Sequence, residues 1–374
     1  MVDWDTNESA LLINPAYSNE DQLRFRQVLE QGTAWPGHIW LATSGSCAPK
    51  WVGLSKQALL ASAQAVNDHL HSHASDRWAL ALPEFHVGGL SIRARAYLSG
   101  AEVSDFKQAH PGKWCARTFY DYLEQMQATL TALVPSQLYD LLLLEGKAPP
   151  QLRALVIGGG QLVPDLYHRA IESGWNVLPS YGLSECASQV ATAALDNSDP
   201  SLKVLPHVSV RLHEGRLAFK GPSLLSVYAY CEEGCRVRFV DPKMDGWFVT
   251  EDRGEVAEGI LTVFGRMDQV IKIGGENVDL ARLEAILQSL RLQQEVDNEM
   301  LLLAMPHERL GQVIHLVLVG EKKIETENAI VLPFNERVLP FERIRSVHWV
   351  AEIPKSPLSK ILRSELQKLI TQKS

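Results

Sequence analysis

The sequence predicts an α/β protein in which a large domain of parallel sheets with helices, carrying a small β-subdomain, is followed by a small α+β C-terminal domain. Three observations predict it. From His38 to Pro179, short apolar runs alternate with helical stretches, the pattern of parallel strands covered on both faces. After Pro206 the texture turns to short alternating strands as far as Phe264, which reads as a β-rich subdomain over about 206–264. The 374 residues exceed one ordinary core, and the division expected is residues 1–266 and 267–374, the second part mobile relative to the first.

Composition narrows the class of function. A chain 46% hydrophobic and 21% charged is globular. A net charge of -8 argues against nucleic acid as a partner but leaves nucleotides open, since these need only a local group of donors. The five cysteines, at 47, 115, 186, 231 and 235, are odd in number and have no C-x-x-C spacing, so neither a disulfide framework nor a zinc site is expected. Cys231 and Cys235 are expected to face each other near a hairpin turn. The acidic start differs from a signal peptide, and no apolar run is long enough for a membrane span, so a cytoplasmic protein without membrane contact is expected.

Taken in order, Glu20–Gln31 reads as a helix ending at Gly32. His38–Thr43 reads as a strand entering Thr43-Ser44-Gly45-Ser46-Cys-Ala-Pro-Lys50, a loop of hydroxyls and small residues able to turn donors toward phosphate oxygens, with Lys50 adding positive charge. It lacks the Walker A spacing, and an ordinary surface turn has the same composition. Helix follows to about His71, then the strand Arg77–Leu82 and Pro83-Glu-Phe-His86-Val-Gly-Gly-Leu-Ser91. His86 with its two glycines could border a ligand or be a structural histidine. On the next helix, Ile92–Leu98, Arg93 and Arg95 point in different directions, so at most one faces a given pocket.

An amphipathic helix is expected from Thr118 to about Leu133, leading into Ala132–Val134, and Pro135 opens another helix with Leu138, Leu141 and Leu142 on one face. Arg153–Ile157 reads as a strand and Gly158-Gly159-Gly160 as a tight turn, either for close approach of a ligand or for helix packing. A helix from Pro164 stops at Gly174, and the strand Trp175–Pro179 delivers Ser180-Tyr181-Gly182-Leu-Ser184-Glu185. Strand ends are where open α/β sheets bind ligands. Tyr181 offers a flat face to a purine, Gly182 permits close backbone, and Glu185 is a hard oxygen donor suited to magnesium. Further on, Gly246–Glu255 ends a strand at Asp252, suited to the vicinal hydroxyls of a ribose, and Asp279 caps a helix whose Leu280, Leu283, Ile286, Leu287 and Leu290 form a stripe. Taken alone, Lys360 is a solvated lysine at a helix start.

Five stretches in fixed order resemble the adenylate-forming superfamily of acyl-CoA synthetases, luciferases and peptide-synthetase adenylation domains: Thr43-Ser-Gly-Ser, Tyr181-Gly-Leu-Ser-Glu185, Thr250-Glu-Asp252, Gly265-Arg-x-Asp268 through Gly274-Gly-Glu-Asn277, and Pro354-Lys to Lys360. Each match is weak alone, and the ordered set over 43–363 is specific. Within it, Leu82–Ser91, Gly182–Ser188 and Gly246–Glu255 look most like the o-succinylbenzoate-CoA ligases of menaquinone biosynthesis.

The resemblance implies an acyl-CoA synthetase-like fold and assigns roles. The loop from Thr43, Ser44, Gly45 and Ser46 to Lys50 would hold the ATP phosphates. Gly159, Gly160, Ser180, Tyr181, Gly182 and Ser184 would surround the nucleotide, with Tyr181 stacked on adenine. Glu185 would bind Mg²⁺, Asp252 and Arg266 the ribose, and His86 and Arg95 the substrate, Arg95 through its second carboxylate; a surface helix charge is the plain alternative for Arg95. Lys360 would bridge the substrate carboxylate and the α-phosphate, while the small domain turns about Asp268 between two half-reactions that end on CoA. Alternatives that fit the same resemblance are another aryl or fatty acid, a carrier-protein thiol, or a nucleotide-binding relic.

The chain departs from the family in four ways. The usual loop reads T-S-G-[ST]-T-G-x-P-K, whereas Cys47-Ala48 here leaves it one residue short and without the second glycine. Two donors fewer, at ~1 kcal/mol or more each, would slow adenylation tenfold or beyond. The usual T-G-D is Thr250-Glu-Asp252, and Ser359 stands where a glycine precedes the catalytic lysine. Only 42 residues precede Thr43, so an outer layer of the large domain is expected to be reduced, with a homo-oligomer as one way to cover the exposed face.

Overall fold

The structure, a computed structural model, describes residues 2–43, 50–144, 146–196, 199–232, 236–355 and 361–373. The chain forms two compact units, one comprising Met1–Leu162, Tyr167–Thr250 and Glu255–Thr262, the other Val163–Leu166, Glu251–Gly254 and Val263–Ser374.

In the larger unit β1 (Ala10–Leu12) is followed by α1 (Asn19–Gln31), which starts where the Ser18 hydroxyl accepts from the Asp21 amide. β2 (His38–Thr43) runs parallel to β1 and pairs antiparallel with β3 (Lys50–Ser55). Gly53 is required in β3, because a Cβ there would stand 2.6 Å from the Trp40 ring. α2 (Lys56–Leu70) is capped by Ser55. Then come β4 (Arg77–Leu80), α3 (Val87–Ser99), β5 (Glu102–Asp105), α4 (Phe106–Ala109), α5 (Ala116–Gln125), β6 (Leu130–Leu133), α6 (Pro135–Leu142), β7 (Ala154–Ile157), α7 (Pro164–Glu172), which belongs to this unit from Tyr167 on, and β8 (Val177–Leu183). Neighbours in the order β5-β4-β6-β7-β8 are parallel throughout. β6 and β7 are apolar and buried along their whole length, as a sheet covered on both faces demands. Trp78, Leu80, Leu130, Val156 and Leu178 pack there with Val66 and Leu70 of α2 and Ile92 of α3.

Three boundaries differ from the sequence reading. Helix α3 begins at Val87, not Ile92: Gly89 sits so tightly on the end of β4 that a Cβ would strike the Leu82 and Pro83 carbonyls, so the glycines serve helix packing. The helix expected to run toward Leu133 ends at Gln125, where Gln127 takes a left-handed φ of 50°, and Leu130–Leu133 is a strand. A four-residue apolar run has no periodicity to tell the two apart. β8 continues through Tyr181 and Gly182, which therefore lie in a strand and not in a loop beyond it.

After β8 the sheet turns antiparallel. β9 (Ser188–Thr192), β10 (Leu202–Val204), β11 (Ser209–His213), β12 (Arg216–Lys220), β13 (Val227–Cys231), β14 (Val237–Val240), β15 (Phe248–Ala257) and β16 (Ile260–Arg266) follow in sequence. The strands between 206 and 264 divide between two sheets. β11, β12, β15 and β16 continue the large sheet in the order β11-β12-β15-β16-β10-β9-β8, whereas β13 and β14 join β3 in a sheet ordered β1-β2-β3-β13-β14.

The smaller unit contains β17 (Val270–Ile273), β18 (Glu276–Asp279), α8 (Leu280–Gln293), β19 (Met300–His307), β20 (Gly311–Val319), α9 (Ile324–Arg337), β21 (Ile344–Val350) and α10 (Arg363–Lys373). Asp279 caps α8, accepting from the Ala281 and Arg282 amides. Strand alternation makes two cores. Leu302, Ile314, Leu316 and Leu318 pack with Leu283, Leu287 and Leu290 of α8 and Phe334 of α9. Leu301, Leu303, Val313 and Val317 pack on the opposite face with Leu366 and Ile370 of α10. Among the described residues, no helix is long and apolar enough to cross a membrane.

Candidate active site

The site is built around Glu185. It sits in a single helical turn, Ser184–Cys186, that links β8 to β9. The turn is closed by Ala187 (φ 55°) and Ser188 (φ 103°), two non-glycine residues held in the left-handed region, where backbone strain marks a constrained geometry. Gly182 lies directly across from this turn, and a Cβ on it would run into the Ser188 carbonyl. The Glu185 carbonyl accepts from the Leu225 amide at 2.8 Å. Its carboxylate Oε1 accepts from the Tyr228 hydroxyl at 2.7 Å and lies 3.4 Å from Lys50 Nζ. Lys50 Nζ is also 3.9 Å from the centre of the Tyr228 ring, a cation–π contact. Burial first, then the charge of Glu185, push the Tyr228 phenol up, so it stays protonated and donates. Tyr228 carries no motif that sequence reading could use; the one signal was its place in an alternating Tyr228-Ala-Tyr230 strand.

A hard carboxylate beside a mobile ammonium fits magnesium held mainly by phosphate oxygens and water, which takes one or two protein carboxylates. Around it, Ser180 Oγ donates to the Ile157 carbonyl at 2.9 Å and lies so close to Gly158 that a Cβ there would stand 2.9 Å away. Gly159 is left-handed at φ 73°, and Tyr181 leans on Phe219 with ring centres 6.2 Å apart.

Arg95 is 2% exposed. Its guanidinium reaches Ser188 Oγ at 3.4 Å and lies 5.7 Å from the Trp78 ring, and its Nε has no hydrogen-bond partner. Burial lowers its pKa from 12.5 to about 9. Ser188 pairs with Leu183 of β8, so the hydroxyl that Arg95 reaches belongs to the strand next to β8. Arg93 takes another course, to Glu84 and Asp105 at 2.6 and 3.2 Å. The two arginines therefore diverge as helix geometry requires. His86 caps α3 without a side-chain bond and packs on Phe85; burial, then Lys107, lower its pKa.

Asp252 and Arg266 stand 3.8 Å apart. Asp252 lies within β15, not at a strand end as the sequence reading had it, because β15 runs on to Ala257. Thr250 is structural, its hydroxyl donating to the Leu217 carbonyl at 2.9 Å. Asp268 belongs to the one-turn helix Met267–Gln269. Thr43 ends β2 opposite Lys50. Ser44, Gly45, Ser46, Cys47, Cys235 and Lys360 lie outside the described residues. Two cavities of the larger unit lie elsewhere: about 290 Å³ beside Trp4, Arg93 and Tyr97, and about 440 Å³ beside Lys220 and Lys243.

The ordered motifs and this constellation define an adenylate-forming protein, and the profile of the AMP-binding enzyme family matches residues 38–228. The chain belongs to that family. It is similar to the 2-succinylbenzoate–CoA ligases of Salmonella typhimurium, at 34% identity over 68% of this chain and 52% of that protein, and of Bacillus cereus, at 28% over 88% and 69%. It thus spans about half the length of the first of these relatives. Its fold is that of o-succinylbenzoate CoA synthetase from Bacillus subtilis, solved with its acyl-adenylate intermediate, at a TM-score of 0.75 and 25% identity over 88% of this chain and 68% of that one.

Proposed function

We propose that the chain is an AMP-forming acid–CoA ligase that converts o-succinylbenzoate to its CoA thioester in menaquinone biosynthesis. The observation that carries the choice of substrate is Arg95: a buried guanidinium whose pKa is driven down by desolvation is costly unless an anion meets it. A substrate with two carboxylates supplies that anion with one and reacts through the other. The relatives named above are ligases of this acid.

In the first half-reaction a carboxylate oxygen attacks the α-phosphorus of ATP. The P–O bond to pyrophosphate breaks and an acyl-adenylate forms. In the second, the CoA thiol gives up its proton, attacks the acyl carbon, and AMP leaves. Mg²⁺, when bound, neutralises charge on the phosphates. Glu185 holds it, Lys50 and the loop before it bind the β- and γ-phosphates, and Lys360 offsets the negative charge that builds between carboxylate and α-phosphate. Gly159, Gly160, Ser180, Gly182 and Ser184 shape the nucleotide pocket, Tyr181 stacks on adenine, Asp252 and Arg266 hold the ribose, and His86 lines the acyl pocket. Residues 267–374 act as a domain that turns about Asp268 between the half-reactions. The thiols of Cys115 and Cys186 suit a cytoplasmic enzyme.

The test is pyrophosphate exchange into ATP with o-succinylbenzoate and a panel of aryl and fatty monocarboxylates. Exchange dependent on the dicarboxylate supports the proposal. Exchange with a monocarboxylate instead moves the substrate, and exchange with none removes the adenylating activity.

A further inference from the structure

We infer that Tyr228 is a positioning residue for the metal-binding carboxylate and that Lys50 is the counter-ion this carboxylate gives up when a metal–nucleotide arrives. The inference rests on the adenylating function proposed above and deepens it. The phenol donates to Glu185 Oε1 at 2.7 Å, and Lys50 Nζ approaches the same oxygen at 3.4 Å while resting 3.9 Å over the phenol ring. Strand pairing imposes the arrangement. β13 lies antiparallel to β3 with Tyr230 opposite Lys50 and Tyr228 opposite Val52, so the Tyr228 ring lies diagonally beside Lys50. The same segment grips Glu185 by its main chain, through the Leu225 amide at 2.8 Å. Tyr228 is 5% exposed and held in the sheet, whereas Lys50 has a flexible stem.

These two partners of Oε1 therefore behave differently when a divalent cation comes. Two like charges about 4 Å apart repel, so the ammonium leaves as the metal enters. Polyphosphate oxygens give it a destination. The phenol is neutral and stays, keeping Oε1 in place, and among the described residues Oε2 has no hydrogen-bond partner. Metal and nucleotide should consequently bind in synergy. Metal alone must displace Lys50 without the phosphate oxygens that would receive it, and nucleotide alone draws the counter-ion away from Glu185.

The experiment is calorimetric titration of ATP with and without Mg²⁺ into the full chain and its variants, with thermal melting as a control. Tyr228→Phe keeps the ring and loses the hydroxyl. It should weaken the Mg²⁺-dependent affinity gain about tenfold, as loss of an outer-shell hydrogen bond does, and leave metal-free ATP binding within about twofold. Glu185→Gln should abolish the gain, and adding Tyr228→Phe to it should change nothing more, because the tyrosine acts only through that carboxylate. An unaltered gain in Tyr228→Phe, an equal loss with and without metal, or an additive double variant would each overturn the inference. A wild-type chain that binds no Mg·ATP would sink the adenylating function and this inference with it, whereas normal wild-type binding with a silent Tyr228→Phe sinks the inference alone.

Discussion

Arg95 and Lys360 divide the proposed chemistry between recognition and reaction, and each has its own signature. Removing a guanidinium that pairs with a buried carboxylate costs about 2 kcal/mol or more, so Arg95→Ala should raise KM for o-succinylbenzoate at least about thirtyfold. KM for an aryl monocarboxylate should move little, and a uniform effect on both acids would refute the pairing. Lys360→Ala should abolish adenylation while leaving thioester formation from supplied acyl-adenylate largely intact; equal loss of both half-reactions would remove its assigned role. The divergence of Arg93 and Arg95 was legible because helical spacing alone decides it. Tyr228 was not, because its contact with Glu185 joins a strand to a helical turn 43 positions away and leaves no local pattern. Gly182 lies between these cases. Its need was legible as a close approach, but the partner, the Ser188 backbone, appears only once β8 and β9 pair.

At the scale of elements, two polar clusters tie strands together. Asp76, 1% exposed, accepts from Arg153 at 2.5 and 2.8 Å and from Thr129 at 2.7 Å, which fastens the starts of β4, β6 and β7. Burial alone would raise its pKa, but the bonds from Arg153 and Thr129 outweigh it and lower it to about 2. Asp76→Asn should therefore destabilise the chain by about 3 kcal/mol at pH 7, as removal of one charge from a buried pair does, read as a fall in the denaturation midpoint. In the smaller unit His315 Nδ1 and His348 Nε2 meet at 2.9 Å with their rings stacked. Burial, then His348 and His307, lower the His315 pKa from 6.5 to about 4, and burial lowers that of His348. The unfolded chain therefore binds more protons between these values. The stabilisation is complete above about pH 6.5 and is lost as pH falls toward 4. Replacing His315 by Gln should flatten that acid limb in a series of melts from pH 4.5 to 7.5. Element types were legible from periodicity and caps, and the misplaced edges were those set by packing: α3 by the Gly89 contact, β6 by burial between β4 and β7.

The whole molecule combines what length and texture reveal with what only long-range pairing decides. The change of texture after Pro206 signalled new strands, but their division between two sheets depends on β13 reaching back to β3, residues far apart in the chain. That same crossing brings Lys50, Tyr228 and Glu185 together, so the part of the fold least visible in the sequence assembles the centre of the candidate site. The smaller unit is different in kind. Both of its cores draw every member from between 271 and 370, on the two faces of one sheet, which is what an independently folding domain requires. A fragment of residues 267–374 should therefore unfold cooperatively on its own and keep the acid lability of the His315–His348 pair. Thermal melts followed by circular dichroism at pH 5 and pH 7 check both properties. A fragment without a melting transition would show that its sheet depends on the rest of the chain, whereas one that melts identically at the two pH values would leave the domain standing and remove the histidine pair as the source of acid sensitivity.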